Sequence, residues 1–443
     1  MSPRPLLCLH SRSRSRNLVR YLAAVGLRAH VVRMTGAGTD DRCAPGVADV
    51  VIVGGGPAGM MCGYLLARAE LRVTVLEKHA DFFRDFRGDT VHPSTMEILG
   101  ELGLLDRFLA RPHNRIDTAT LRWFGQELKI GDLSHLPVRA PFIAMMPQWD
   151  FLDFLFDEAS QLPSFALRRN ADATGFVETN NRVTGVRLAD GELVPARRLV
   201  IAADGRGSIA RAVLPLQDLG SSIDVLWFRL PRDPSSEPGL RGVVEPGRVL
   251  VCIDRDDYWQ CAMVVAKGAA ESLRARGIAL LRAEVEAAAP ELGPLDAVLA
   301  DWESVKLLSV GLDRLARWSR PGLLAIGDAA HTMSPIGGVG INLAIQDAVA
   351  TANLLAAALV TGADVDPLLD RVRARRSLPT RLVQGAQKLA QDRLLARLIS
   401  PDSAARRPPL LLRLLDRYPL LRRIPGRMIG LGFRREHVRS RHV

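Results

Sequence analysis

Lysine is almost missing from this chain: only five of its 59 basic residues are lysine, and the rest are arginine. The formal net charge of +11 is therefore an arginine charge, and it sits at the two ends. Residues 1–45 carry +6 and residues 361–443 carry +12, which leaves 11 − 18 = −7 for the middle. An acidic middle without a helix-turn-helix or zinc-finger pattern argues against nucleic acid as a partner. Long uncharged apolar runs are missing as well. No stretch of about 18 such residues exists, so no transmembrane helix is expected, and the Ala-rich run 348–363 reads as a buried helix. The five cysteines (Cys8, Cys43, Cys62, Cys252, Cys261) are odd in number and never spaced C-x-x-C. That excludes a zinc site or a disulfide framework as the expectation, predicts no bound metal, and fits a reducing, cytoplasmic compartment.

What is present is ordinary for a folded enzyme-sized chain: 443 residues, 48% hydrophobic and 24% charged, enough for two or three domains. Residues 1–45 are Ser/Arg-rich with no acid before Asp40. They read as a disordered leader, with a transit-peptide-like segment or an upstream start before Met34 as alternatives. Asp49–Val53 (DVVIV) is a short β-branched run of the kind that forms a buried parallel strand. It leads into Gly54-x-Gly56-x-x-Gly59, a helix through Arg68, a second strand over Leu71–Leu76, and Glu77. In such a unit the first glycine permits the tight turn and the second lets backbone approach a pyrophosphate. The third lets the helix pack on the strand, and proline suits the first helical turn. The helix N-terminus offers free N–H groups and a positive partial charge to phosphate. An acid closing the second strand suits a ribose 2′-OH, so Gly54, Gly56, Pro57, Ala58, Gly59, Glu77 and Lys78 form the first candidate cofactor set. This pattern alone does not separate FAD from NAD.

Further buried strands are expected at Arg198–Ala203 and Gly322–Ile326. Alternating segments at Arg182–Leu188, Ile223–Leu230, Val249–Ile253 and Tyr258–Val265 predict an antiparallel sheet flooring a substrate cleft. From Ile341 onward the pattern is helical.

Two more segments carry a resemblance. Leu199–Leu214 reads LVIAADGRGSIARAVL, and Leu323–Asn342 reads LLAIGDAAHTMSPIGGVGIN. With the glycine motif, in this order and at these distances, they look like the three fingerprints of the single-component (group A) flavoprotein monooxygenases, the family of para-hydroxybenzoate hydroxylase and the ubiquinone-biosynthesis hydroxylases. The resemblance covers residues 48–360. It implies an α/β fold: a Rossmann-like FAD-binding domain (46–120, 190–215 and 310–360), an inserted antiparallel-sheet substrate domain (121–189 and 216–309) and a C-terminal helical region (361–443). It also implies FAD, with NADH or NADPH as co-substrate and molecular oxygen. The reaction would be hydroxylation of an aromatic or quinone-like substrate through a flavin C4a-hydroperoxide.

Carried over by position, Asp328, beside Gly327, would meet the ribityl chain of FAD. The loop Pro335–Asn342, with Gly338, Gly340, Ile341 and Asn342, would lie along the flavin ring with its backbone N–H groups. Asp204 and Gly205 match the second fingerprint, Arg87 the family's phosphate-binding arginine, and Gln148 a looser polar flavin contact. No catalytic side chain is assigned, because in this chemistry the cofactor performs the hard step and the protein orients and desolvates. His331 reads as a structural hydrogen-bonder, His92 as a helix cap or a flavin neighbour, and Trp227, Arg229, Tyr258 and Trp259 as core or rim of the substrate sheet.

Two other readings stay open: a flavin reductase or dehydrogenase without oxygen insertion, and a non-catalytic FAD-binding accessory protein. A halogenase is disfavoured, since no Trp-x-Trp-x-Ile-Pro run occurs. The segment 410–433, leucines among arginines broken by prolines, is expected to pack on the flavin domain, with peripheral membrane contact as the alternative.

Overall fold

The computed structural model describes residues 47–83, 90–233, 239–255, 257–395, 398–399 and 407–440. The leader and Arg87 lie outside the described residues. The chain enters as β1 (Ala48–Val53), whose six residues are all buried, and turns through glycines into α1 (Pro57–Arg68). It returns as β2 (Val73–Leu76). With β3 (Leu193–Ala202) and β4 (Leu323–Ala325) these form the parallel centre of one sheet, in the order β4-β3-β1-β2. The strand Phe165–Arg168 is added in parallel beside β2. Both faces of this centre are covered, so its strands are continuously apolar. Val50, Val51, Ile52, Val200 and Ile201 are fully excluded from solvent, each contributing about 1.5–3 kcal/mol of burial.

The expected placement of Arg182–Leu188 in the substrate sheet does not hold. That strand pairs antiparallel with the first half of β3 and with Ala173–Thr179, as an extension of the dinucleotide-type sheet. Its alternation reflects a half-covered ribbon, a pattern common to any two-faced strand. The other three alternating segments do share one sheet. Its order is Lys306–Leu308, Ile223–Pro231, Tyr258–Ala266, Arg248–Asp254, Leu240–Glu245, Thr118–Trp123 and Gln126–Asp132. It is antiparallel except where Leu240–Glu245 runs parallel to Thr118–Trp123. One face packs on the helices Ala269–Ala275 and Ile278–Ala288, through Leu226, Phe228, Trp259, Leu281 and Val285. The other, with Ile223, Val225, Trp227 and Val264, forms a second cluster that Ile336 packs against.

α2 (Gly340–Thr361) is long and apolar enough to cross a membrane, yet it runs through the core against α1 with most of its length buried. α3 (Asp366–Ala390) packs along α2, and the chain ends in α4 (Leu410–Arg417) and α5 (Pro419–Gly430). These last two lie on the strand Gln126–Asp132 of the substrate sheet, and α5 also touches the expected flavin domain at His92 and Pro93. The glycines explain the seat: a β-carbon on Gly426 would stand 1.9 Å from the Asp132 carbonyl oxygen. One on Gly430 would press on Leu133, Leu136 and Pro93.

Candidate functional site

The three glycine-bearing segments meet at the carboxyl ends of β1, β3 and β4, where open parallel sheets bind ligands. Gly54 has φ +102°, and a β-carbon there would lie 2.4 Å from the Ala203 carbonyl oxygen and 2.7 Å from Asp204 Cα. Gly327 has φ +59°, and its missing β-carbon would strike those of Ala58 at 2.9 Å and Ala344 at 3.3 Å. Segments 54–59, 199–214 and 323–342, far apart in the chain, are thus in van der Waals contact. Gly59 serves the packing role, since a β-carbon there would overlap Gly54 O at 1.9 Å. Gly56 is different: nothing lies within 4 Å of where its β-carbon would be.

That opening faces the start of α1, whose N-cap Gly56 supplies no side-chain hydrogen bond. The first-turn N–H groups therefore remain for an anion. Glu77 closes the side of the turn. It is buried, one carboxylate oxygen accepts from Gly55 N at 3.0 Å, and the other accepts from His79 N at 3.0 Å. Lys78, next in sequence, is exposed. Gln148 is the half-buried first residue of the helix Gln148–Ala159, which packs on α1.

Asp204 ends the run after β3. Its Oδ2 accepts from Ile209 N at 3.0 Å, while Oδ1 is buried without a hydrogen-bond partner among the described residues. Burial pushes its pKa above the usual carboxylate range, against the pull of hydrogen bonds from Ser208 and Ile209. Gly205, at φ +83°, follows in open space. Asp328 keeps a third of its side chain exposed, with Oδ2 3.6 Å from Arg206 Nε. Its backbone oxygen accepts from Arg211 Nη2 at 2.7 Å, and Arg211 is itself held bidentate by Asp313 at 2.8 and 3.0 Å.

A second uncapped helix start lies at Gly340, where N-cap Val339 gives no side-chain bond. Pro335 begins the approach, and Gly338 (φ +61°) is wedged against Thr90, whose hydroxyl donates to Gly338 O at 2.7 Å. Asn342 turns its side chain away from the opening. Its Oδ1 accepts from His92 N and Thr95 Oγ1, and its Nδ2 donates to Thr90 O and Gly338 O. Asn342 thus locks the loop shape, and its backbone N–H and those of Gly340 and Ile341 form the uncapped first turn of α2.

Several supporting residues escaped the sequence reading. Asp347, inside α2, accepts from Gly327 N at 3.1 Å, His331 Nε2 at 2.6 Å and Arg376 Nε at 2.9 Å. Burial alone would raise its pKa, but His331 and Arg376 hold it below the usual range. His331 is accordingly a buried structural partner of Asp347. Gln387 brackets the ring loop from α3, taking Ser334 N on its oxygen and donating to Ser334 O and Ile336 O. His92 is fully buried with Nδ1 2.8 Å from the Ile429 carbonyl, which makes Nδ1 the donor and ties α5 to the loop. Desolvation lowers its pKa to about 4, partly opposed by that carbonyl. The four substrate-sheet candidates separate: Trp227 faces the cluster that Ile336 packs against, whereas Trp259 faces the helices and Arg229 stacks on Tyr258.

The donor set fits FAD: an open glycine cradle at a free helix start, an acid beside it, a half-exposed aspartate farther along, and a second free helix start. Among the described residues no His/Cys/Asp/Glu cluster could hold a metal.

Comparison with known proteins agrees. The family model described as FAD binding domain matches residues 47–386. The 6-methylpretetramide 4-monooxygenase of Streptomyces rimosus is 34% identical over 88% of this chain and 94% of its own. A rifampicin monooxygenase of Streptomyces venezuelae is 31% identical over 74% of this chain and 68% of its own. The crystal structure of p-nitrophenol 4-monooxygenase from Pseudomonas putida shares the fold, with TM-score 0.74 at 22% identity over 88% of this chain and 99% of that one.

Proposed function

The chain belongs to the FAD binding domain family and is an FAD-dependent monooxygenase, and we propose that it hydroxylates a large aromatic substrate with NADH or NADPH as reductant. The observation that carries the cofactor assignment is the convergence of Gly54, Asp204 and Gly327 on one opening with two unsatisfied helix starts. When bound, FAD supplies electron transfer and oxygen activation.

The chain's own part is positioning and electrostatics. The α1 N-terminus and the space at Gly56 would take the pyrophosphate, and Glu77 the adenosine ribose. Asp328 would accept hydrogen bonds from the ribityl hydroxyls, with Arg206 balancing its charge. The N–H groups of Gly340, Ile341 and Asn342 would stabilise negative charge at the ring's pyrimidine edge through the dipole of α2. The apolar face with Trp227, Val225 and Val264, meeting the ring loop at Ile336, would bind the aromatic substrate and exclude water. The relative at 34% identity, of which this chain spans 94%, is named for 6-methylpretetramide, which makes that compound the first to test. The scattered cysteines support a cytoplasmic setting.

The test is anaerobic reduction of the FAD-loaded protein by NADH and by NADPH, with and without 6-methylpretetramide and a panel of smaller phenols. Bleaching accelerated by an aromatic compound supports the reading. Absence of bleaching with either nucleotide and every compound sinks the nucleotide-driven reaction and favours a dehydrogenase.

A further inference from the structure

Outside the flavin opening, the strand Asp313–Leu315 and the outer side of α3 enclose a small polar cavity of about 40 Å³. Its wall includes Arg314, Arg373, Arg381, Ser377, Thr380 and Trp318. No residue of the three glycine-bearing motifs lines it.

Three guanidiniums around one cavity is an unfavourable arrangement unless something negative balances them. Among the described residues only one has its charge met: Arg373 holds Asp370 bidentate at 2.7 and 3.0 Å. Arg381 makes no ion pair among the described residues, and Arg314 has only a neutral hydrogen bond, from Nη1 to Gln384 Oε1 at 3.1 Å. The Nε of Arg314 is shielded from solvent and has no hydrogen-bond partner among the described residues. Burial, and then the charge of Arg381, push the Arg314 guanidinium below its ordinary pKa. The arrangement is fixed in place. Gln384 is almost fully buried, and its amide donates to Asp313 O at 2.8 Å and Thr332 O at 2.9 Å, which orients its oxygen toward Arg314. Thr380 Oγ1 donates to Arg376 O, anchoring the helix side of the wall.

We propose that this cavity is an anion site that takes a phosphoryl group, separate from the FAD opening. Forked guanidiniums match the several oxygens of a phosphate. Asp313, the neighbour of Arg314, clamps Arg211, and Arg211 holds the Asp328 carbonyl. Occupancy of the site is thereby linked to the loop that carries Asp328. The phosphoryl group comes either from free phosphate or a small phosphorylated metabolite, or from the 2′-phosphate of NADPH.

Inorganic phosphate is titrated into the FAD-loaded full chain at ionic strength held constant with chloride, and thermal unfolding is followed. FAD fills the pyrophosphate cradle, so it cannot answer for the effect. The expected result is a saturable rise in Tm on the order of 2–4 °C. The rise is lost in Arg381→Gln, an exposed position where folding is undisturbed, and in Arg314→Gln. It is retained in Arg371→Gln, an exposed arginine of the same helix that does not line the cavity. No rise in the wild type, or an equal rise in Arg381→Gln, overturns the site. Displacement of phosphate by NADPH but not by NADH assigns the nucleotide as the source, and no displacement by either assigns a free phosphate compound.

Discussion

Replacing Asp347 with asparagine removes a negative charge where no water can take its place. Asp347 and Arg376 are both fully buried and 2.9 Å apart. The second carboxylate oxygen serves His331 and Gly327 N. Asparagine keeps the shape but only one acceptor oxygen, so its NH₂ must face either Arg376 or the His331–Gly327 pair, donor against donor. Arg376 would retain Glu436 at 3.4 Å as its remaining carboxylate. Removing one member of a buried ion pair costs about 3–5 kcal/mol. The preserved volume leaves out a cavity contribution, which puts Asp347→Asn near 3 kcal/mol. The folded-state pKa of Asp347 is depressed, so its contribution is present above the unfolded carboxylate value and lost as pH falls through the folded value. The variant should therefore lose stability at neutral pH and show a flatter acid limb than wild type below about pH 4. Urea unfolding of the FAD-loaded protein across pH measures both, and flavin titration measures the slackening of the Gly327 turn. A loss under about 1 kcal/mol with unchanged FAD affinity would refute the claim that this cluster anchors the turn.

Two substitutions in the first glycine motif should separate packing from ligand space. Gly59→Ala places a β-carbon 1.9 Å from Gly54 O and should lose both FAD retention and apo-protein stability. Gly56→Ala meets nothing in the chain and should keep the apo-protein Tm while weakening FAD at least about tenfold, because the added methyl enters the pyrophosphate space; equal behaviour of the two variants would contradict the assignment of Gly56. His92, held neutral with a pKa of about 4, takes its proton later in the folded than in the unfolded chain. Stability should fall as pH drops from about 6.5 toward 4, by at most about 3 kcal/mol, and His92→Gln should remove that part of the slope in thermal melts.

The parallel strands were legible because a strand buried on both faces has one signature, a continuous β-branched run. β1 and the end of β3 carry it in pure form. The alternating segments carried less. Alternation reports that a strand has one wet face and says nothing of which sheet it joins, so Arg182–Leu188 was drawn to the substrate sheet by a pattern it shares with Ile223–Leu230. What decides its place is the turn to Leu193 and the pairing of Gly185 with Pro195, a close approach that the missing β-carbon of Gly185 permits.

At the site, legibility followed the role of the backbone. Gly54, Gly59 and Gly327 could be read because only glycine satisfies a positive φ or a contact under 3 Å, and such demands leave a residue type in the sequence. The residues that hold those turns leave no such mark. Asp347 sits in an Ala-rich helix, and Arg376, Gln384 and Gln387 sit in an arginine-rich one, where each looks like a solvated face. Their partners lie 16 to 71 residues away, and only the packing of α3 across the ring loop turns three ordinary polar side chains into a scaffold. Asn342 makes the same point from the opposite side. The resemblance asked only for its backbone N–H, and its side chain is spent on Thr90, His92, Thr95 and Gly338, so its identity is demanded by the loop. A fingerprint of this kind therefore records the turns that admit the cofactor, while the rigidity that lets those turns act as fixed dipoles is supplied by buried polar residues of the following helices.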